Sequence, residues 1–111
     1  MEKQVIGRFA PSPSGYMHMG NLLAMLLAWL DARAQNGKVI FRMEDLDPAR
    51  SKKEYIDALA ADLRWLGLDW DEGFPDPGYS QSQRTAIYEE AFRALQNKGL
   101  CLLYTSPSPR D

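Results

Sequence analysis

The order of elements in the first 43 residues is the feature that most constrains the fold. Residues 4–10 have the character of a strand and lead into a loop of prolines and a glycine. Residues 19–35 are helix formers, closed by Asn36-Gly37. An apolar run within residues 38–43 is typical of a buried parallel strand. The sequence therefore predicts an α/β fold built on a βαβ unit with a right-handed crossover.

Two more helices are predicted after this unit. The second begins at Ser51 with the spacing of a capping box and ends at Gly67, and its apolar face consists of Ile56, Leu59, Leu63 and Leu66. Residues 68–79 form a long loop of the kind that is usually functional. The third helix follows a capping box at 80–83, and its inner face consists of Ile87, Tyr88, Ala91, Phe92 and Leu95. The first helix is so apolar over residues 22–30 that we expect it to be buried on most sides.

Length, charge and cysteine content exclude several classes. A chain of 111 residues holds at most one domain, too little for a complete doubly wound enzyme with appended substrate domains. Thirteen Lys and Arg against 15 Asp and Glu give a net charge of −2. The overall charge therefore lacks the excess of basic residues that is typical of a nucleic-acid-binding protein. Cys101 is the only cysteine, which excludes an internal disulfide and a cysteine-based zinc site. With no secretory signal and no span of about 20 apolar residues, we expect a cytoplasmic protein without membrane contact.

The last 11 residues differ from the rest. Residues 101–111 carry two of the seven prolines, and Ser-Pro-Ser-Pro continues neither a helix nor a central strand. One interpretation is a natural disordered tail. The other, which we favour, is an unstructured, non-native tail translated from a sequencing-library adapter, to be left out of fold reasoning. The source DNA distinguishes the two.

The Pro/Gly loop and the start of the first helix form the first candidate site. Segment Arg8–Gly15 runs into His18-Met-Gly-Asn21, which places His18 and Gly20 at a helix N-terminus. Unpaired N–H groups and the positive end of the dipole suit a phosphate chain there. His18 is suited to donate a hydrogen bond to phosphate oxygens as charge develops. The alternative is a histidine that only caps the helix.

Charged residues at the strand ends form the second candidate site. Arg8 lies in an otherwise apolar strand, so it has to find a partner or reach solvent. A structural partner would be Asp45 or Asp47, and a functional one would be a carboxylate ligand held by the guanidinium. Glu44, Asp45 and Asp47 follow the second strand, at the edge where parallel sheets bind ligands. They form a solvated ion-pair cluster, a metal site, or a holder for a substrate ammonium group; the metal site is the weakest because no His or Cys accompanies them.

Taken together and in this order, these segments resemble the N-terminal half of the class I glutamate-activating tRNA synthetases, over about residues 5–100. His18-Met-Gly-Asn21 stands where that class has its HIGH motif, and keeps His18 and Gly20 of it. The resemblance implies that residues 1–100 are part of a Rossmann-type nucleotide-binding domain, truncated after its N-terminal half. Gly7, the Pro-Ser-Pro-Ser-Gly loop and Glu44-Asp-Leu-Asp-Pro48 favour the glutamyl-Q tRNA(Asp) synthetase branch over glutamate–tRNA ligases.

The resemblance also implies roles. Glutamate would be bound by Arg8, Phe9, Ala10, Pro11, Ser12 and Glu44, with Arg8 on the side-chain carboxylate and Glu44 on the α-ammonium. ATP would be bound by Pro11, Ser14, Gly15, His18, Gly20 and Asn21, and His18 and Gly20 would be catalytic. The implied partners are L-glutamate, ATP with Mg²⁺, and tRNA. We expect a monomer. No metal ligand is expected in this chain, because the zinc-binding cysteines of many relatives lie beyond Leu100.

The competing hypothesis is a non-catalytic nucleotide-binding module. It would keep the βαβ unit and His18-x-Gly20 but would give no reason for Arg8 and Glu44 to occur together. The synthetase hypothesis instead predicts that Arg8 and Glu44 flank one cavity at the carboxyl ends of the strands, with His18 on its rim.

The resemblance leads to a first testable prediction. The chain has no lysine-rich loop of the KMSKS type, so half of the phosphate clamp that the resemblance implies is missing. The second half of the sheet, which would supply further glutamate contacts, is also missing. We therefore predict that the purified chain does not form glutamyl-adenylate. The measurement is ATP–pyrophosphate exchange with and without L-glutamate, and glutamate-dependent exchange would contradict the prediction.

Overall fold

The βαβ order predicted from the sequence is present. A computed structural model describes residues 3–102. Along the chain, the strands and helices are β1 (Ile6–Phe9), α1 (Met19–Ala34), β2 (Lys38–Phe41), α2 (Lys53–Trp65), β3 (Glu72–Gly73) and α3 (Thr85–Asn97), with a short 3₁₀ turn at Gln81–Gln83 before α3.

The three strands form a parallel sheet in the order β1-β2-β3. Phe9 pairs with Phe41, and Phe41 pairs with Gly73. The predicted α/β class, with parallel strands and crossover helices, is confirmed. Strand β3 was not predicted, because two residues carry no periodicity. Gly73 has a φ of +130°, and a Cβ there would collide with the backbone of Phe41, so glycine is needed for β3 to reach β2.

The core lies on one face of the sheet. Phe9, Val39, Phe41 and Met43 are fully buried on that face. Helices α1 and α2 and the turn after α2 cover it with Met25, Ala32, Leu59, Leu63 and Leu68. Both helices lie on the same face because two successive right-handed crossovers run in one direction across the sheet. The opposite face, which carries Ile6 and Arg8 of β1, is not covered by any helix of residues 3–102.

Helix α1 is less buried than predicted. Gly7 allows the helix to lie close to β1, since a Cβ at Gly7 would come within 3.1 Å of both the Ala28 oxygen and the Ala32 Cβ. On the far side, however, Leu23, Leu27 and Leu30 are 56%, 57% and 48% exposed. The prediction of burial on most sides is wrong for the described residues, because they supply a layer of structure on only one side of the helix.

The start of α2 also differs from the prediction. Ser51 does not cap the helix; its N–H donates to the oxygen of Asp47, within a turn in which the Asp47 carboxylate accepts the N–H of Ala49. The helix begins two residues later, with Lys52 as an N-cap that makes no side-chain bond. The predicted inner positions Ile56, Leu59 and Leu63 face the core as expected, whereas Leu66 is exposed beyond the helix end.

The third helix is present, but its surroundings are not those predicted. Ser80 does not cap α3; it is buried and forms a parallel bridge with Met43. The predicted inner face has no buried residue, and Ile87, Phe92 and Leu95 are exposed. The sequence periodicity identified the face correctly as apolar, but within residues 3–102 only Tyr88 is partly covered, with a buried hydroxyl and Arg84 over its ring at 5.9 Å.

The end of α1 is held to the segment before β3 by a polar cluster. Arg33 contacts Asp71 at 2.7 Å and Asp69 at 3.0 Å, and the Trp29 indole donates to Asp69 at 3.0 Å. The pKa of Asp69 is lowered mainly by the Trp29 hydrogen bond, and the pKa of Asp71 mainly by the N–H of Val39, with Arg33 adding to both. These bonds fix the amino ends of β2 and β3, away from the candidate site.

Two sequence expectations concern the chain ends and membranes. Residues 103–111 of the predicted non-native tail lie outside the described residues, so the division at residue 100 stays a prediction. Within residues 3–102, no helix combines the length and the apolar character that crossing a bilayer requires.

Helix α2 allows a matched pair of substitutions that tests the position of the core. Leu63 is fully buried and Trp65, two residues on, is 86% exposed. Leu63→Ala should lower the free energy of unfolding by about 2–5 kcal/mol, because it leaves a cavity under the sheet. Trp65→Ala should change it by no more than about 0.5 kcal/mol. Urea unfolding followed by circular dichroism measures both, and equal losses would show that α2 is packed differently.

Candidate active site

The candidate site is built from the two chain segments that follow β1 and β2. Beyond the strands, the N–H of Arg42 donates to the Phe9 oxygen at 2.8 Å, and that of Glu44 donates to the Pro11 oxygen at 3.0 Å. These bonds hold the Pro/Gly loop against the acidic segment. The predicted groups of site residues are thereby brought to one edge of the sheet, the edge at which parallel sheets bind ligands.

His18 is the N-cap of α1. Its Nδ1 accepts the N–H groups of Gly20 at 3.1 Å and Asn21 at 3.4 Å, and its own N–H donates to the Asn21 side chain at 3.3 Å. The side chain is exposed. Because Nδ1 accepts hydrogen bonds, the ring proton is on Nε2, which has no hydrogen-bond partner among residues 3–102. Nδ1 of His18 therefore caps the helix, as the alternative hypothesis held. Nε2 remains available to a ligand.

One part of the phosphate-site prediction needs correction. The N–H groups of Gly20 and Asn21 were expected to be unpaired, but both are occupied by His18. What remains at this helix end is the positive end of the dipole, with no acidic residue in the first turn, and the Nε2–H of His18. A phosphate would thus meet the imidazole instead of the bare backbone.

A depression of about 380 Å³ lies beside His18. It is lined by five of the six predicted ATP-binding residues, all except Gly20: Pro11, Ser14, Gly15, His18 and Asn21. The other lining residues are Ala10 and Ser12, which were predicted to bind glutamate, and Tyr16, which was not predicted. Tyr16 was missed because nothing in the sequence distinguishes it from a loop tyrosine. It packs edge-on against Tyr55 of α2 at 4.9 Å and donates to Glu54 at 3.4 Å. The charge of Glu54 raises the pKa of Tyr16.

Arg8 and Glu44 lie on the same face of the sheet but do not share a cavity. Alternation along the strands places Arg8, Arg42 and Glu44 on the face opposite the buried Phe9 and Met43. Arg8 lines a depression of about 210 Å³ with residues of α1, whereas Glu44 lines another of about 310 Å³ with the acidic segment. The prediction of a single cavity is wrong within residues 3–102. The depression beside His18 adjoins both, through residues 10–14.

The alternative partners of Arg8 are engaged elsewhere. Asp45 accepts hydrogen bonds from Ser82, and Asp47 contacts Ala49 and Arg50. Neither forms an ion pair with Arg8 in the described part of the chain. Its guanidinium is exposed, which is compatible with binding a carboxylate ligand.

Glu44 has one weak charged neighbour. Arg42 reaches the Glu44 carboxylate only at 3.5 Å, and the Nε of Arg42 is buried without a hydrogen-bond partner among residues 3–102. Both carboxylate oxygens of Glu44 therefore retain capacity to accept further bonds, as a holder for an ammonium group requires.

The acidic segment has no geometry for a metal ion. No group of three or more metal-ligating side chains comes together in residues 3–102. Asp45 binds Ser82 and Asp47 binds within its own turn, so only Glu44 and Asp47 line the same depression. Of the three interpretations of this segment, the metal site is therefore the one that the described residues do not fit.

A parallel sheet with crossover helices and a candidate site at the carboxyl ends of its strands is the architecture of a Rossmann-type α/β domain. Residues 4–107 match the family described as tRNA synthetases class I (E and Q), catalytic domain. The chain belongs to this family, and the predicted resemblance is confirmed. The family consists of aminoacyl-tRNA synthetases, whose chemistry implies ATP and Mg²⁺.

Individual relatives agree with this assignment. The chain is 53% identical over 98 residues to a glutamyl-Q tRNA(Asp) synthetase of Nitratidesulfovibrio vulgaris, covering 84% of this chain and 30% of that protein. It is 50% identical over 97 residues to glutamate–tRNA ligase 2 of Acidithiobacillus ferrooxidans, covering 83% and 20%. A solved glutamate tRNA ligase from Elizabethkingia meningosepticum, in complex with its amino acid, superposes with a TM-score of 0.76 at 31% identity, over 86% of this chain and 20% of that one. The chain thus spans less than a third of these relatives.

The helix-capping geometry gives a prediction that separates the two nitrogens of His18. His18→Asn keeps an acceptor for the first N–H groups of α1, so stability should be retained, whereas His18→Ala should lose about 1 kcal/mol. Both variants lack the Nε2–H and should bind ATP more weakly than wild type. Urea unfolding and ATP titration are the two measurements. If the asparagine variant bound ATP like wild type, Nε2 would have no role in the nucleotide site.

Proposed function

We propose that residues 1–100 are part of the catalytic domain of an enzyme that activates L-glutamate with ATP and transfers it to tRNA. The observation that supports this most directly is the placement of Arg8 and Glu44, which line separate depressions that both adjoin the one beside His18. A guanidinium and a carboxylate lie on the same sheet face at the carboxyl ends of adjacent strands, and neither is consumed by a strong ion pair in residues 3–102. A non-catalytic nucleotide module has no use for that pair.

The chemistry of glutamate matches these two groups. Arg8 offers a fork of N–H donors to the side-chain carboxylate, and Glu44 offers acceptors to the α-ammonium group. Phe9, also predicted to bind glutamate, is instead buried in the core, and its oxygen accepts the N–H of Arg42. Ala10, Pro11 and Ser12 are therefore the residues proposed to shape the pocket. Glutamine would leave the Arg8 donors opposite a neutral amide, and the pair therefore favours glutamate over glutamine.

The depression beside His18 is proposed as the ATP site. The free Nε2–H, the positive end of α1 and the hydroxyls of Ser12 and Ser14 line it, and all suit an anion. Bound ATP with Mg²⁺ supplies the adenylyl group of the reaction. The part of this chain is to orient the phosphates and to donate a hydrogen bond from His18, so catalysis rests on positioning and charge stabilisation.

For the acceptor we propose the queuosine base of tRNA(Asp). Gly7, the Pro-Ser-Pro-Ser-Gly loop and the Glu44–Pro48 segment favour this branch, and the glutamyl-Q relatives support it. Glutamate–tRNA ligases are nearly as similar, and the alternative is transfer to the 3′ end of a tRNA. The enzyme is proposed to act in the cytoplasm as a monomer.

Glutamate binding tests the first part of the proposal. L-glutamate should bind the chain more tightly than L-glutamine does, measured by calorimetry or by shifts of backbone amide resonances. Arg8→Met should remove that preference, because the ion pair with the side-chain carboxylate is lost. Glu44→Gln should weaken both ligands, because both carry the α-ammonium. Arg93→Met, an exposed arginine of α3, is the matched control. Equal affinity of wild type for glutamate and glutamine would contradict the assignment of Arg8.

The acceptor is tested with a complete synthetase that contains residues 1–100. It is incubated with radiolabelled glutamate, ATP and tRNA(Asp), prepared with and without queuosine. Label should enter only the queuosine-containing tRNA(Asp). Label on the 3′ end of tRNA(Glu) would instead establish the glutamate–tRNA ligase alternative.

A further inference from the structure

Asp45 is one of the two acids of the segment after β2 to which the proposed function assigns no role, the other being Asp47. Both carboxylate oxygens of Asp45 are engaged by one residue of the 3₁₀ turn before α3. Oδ1 accepts the N–H of Ser82 at 3.0 Å, and Oδ2 accepts the Ser82 hydroxyl at 2.7 Å. A carboxylate held at both oxygens is fixed in position and rotation. Ser82 lies 37 residues further along the chain, so this contact is tertiary.

The Asp45–Ser82 contact is the last of a series that joins the two segments. The N–H of Met43 donates to the Tyr79 oxygen at 2.8 Å, and the N–H of Gln81 donates to the Met43 oxygen at 3.0 Å. The Tyr79 hydroxyl in turn donates to Glu72 of β3 at 2.6 Å. The segment 79–82 is thereby anchored to the sheet on one side and to the residues around Glu44 on the other.

Glu44 lies between the two residues that are held. Its neighbours Met43 and Asp45 are bonded to segment 79–82, and its own N–H is bonded to Pro11. Gln81, next to Ser82, lines the same depression as Glu44. Loss of the Asp45 contact would free the backbone on the carboxyl side of Glu44, while the Met43 bonds on the other side would remain.

From this geometry we propose that Asp45 is a positioning residue, which holds the Glu44 carboxylate in the substrate depression by binding Ser82. The proposal rests on the proposed function for the identity of the ligand, the α-ammonium of glutamate, but not for the positioning itself. Asp45 does not touch the substrate. A misplacement of about 1 Å can lower a catalytic rate by about 10²-fold, so a displaced binding group is expected to have a measurable effect.

The first experiment measures position without any ligand. Amide hydrogen exchange of Glu44, which donates to Pro11, is followed by NMR in the 111-residue chain. Asp45→Ala should raise the exchange rate at Glu44 at least about tenfold. Ser82→Ala should raise this rate less. Asp45→Asn should keep most of the protection, because its amide still offers an acceptor and a donor to Ser82. Asp69→Ala is the matched control, since it removes a carboxylate with two side-chain partners at the opposite edge of the sheet.

The second experiment measures ligand binding in the same variants. Asp45→Ala should weaken L-glutamate binding by about tenfold or more and leave ATP binding unchanged, since the His18 depression does not include Asp45. A loss of both ligands together, or exchange at Glu44 no faster than in Asp69→Ala, would overturn the proposal. If wild type bound no glutamate, the proposed function would fail, and the exchange rates alone would decide whether Asp45 positions Glu44. If the alanine variant does not fold, Ser82→Ala is compared with Asp45→Asn. Exchange at Glu44 should then be faster in Ser82→Ala than in Asp45→Asn.

Discussion

The burial of Phe41 at the centre of the sheet is the interaction on which the rest of the structure depends. Its ring packs against Phe9 of β1 at 6.1 Å and against Trp70 and Phe74 at 4.7 and 5.6 Å. Its backbone pairs with both β1 and β3. Because one residue is shared by the core, by both strand pairs and by the start of the segment that carries Glu44, the fold and the site are physically coupled through β2.

This coupling explains how so short a chain places charged groups next to one another. Side chains alternate along β2 and its continuation, so burial of Phe41 and Met43 on one face forces Arg42 and Glu44 to the other. The parallel register then brings Arg8 of β1 to that same face. Hydrophobic burial on the opposite face of the sheet therefore determines which way Arg8, Arg42 and Glu44 point. Their own side chains make few contacts.

Much of this was predictable from the sequence, and the exceptions have physical reasons. The βαβ order, the buried face of α2 and the position of His18 follow from periodicity and from the Pro/Gly loop, which are local. The Asp45–Ser82 contact joins residues 37 positions apart, and no local sequence pattern predicts such a contact. The cap at Ser51 was predicted from spacing, but Asp47-Pro48 begins a turn of its own that displaces the helix start. The exposed faces of α1 and α3 were predicted as buried because periodicity identifies an apolar face and does not show what covers it.

The uncovered sheet face bears directly on what the isolated chain can do. A parallel sheet is normally covered on both faces, and here the face that carries Arg8 and Glu44 has no layer above it within residues 3–102. Arg8 is exposed and the Glu44 side chain is 29% accessible, so water reaches both groups and weakens each charged contact with a ligand. The same groups under a covering layer would act at lower dielectric and bind the same substrate more strongly. The geometry of recognition is thus present in these residues, whereas the strength of recognition depends on the exclusion of water from that face.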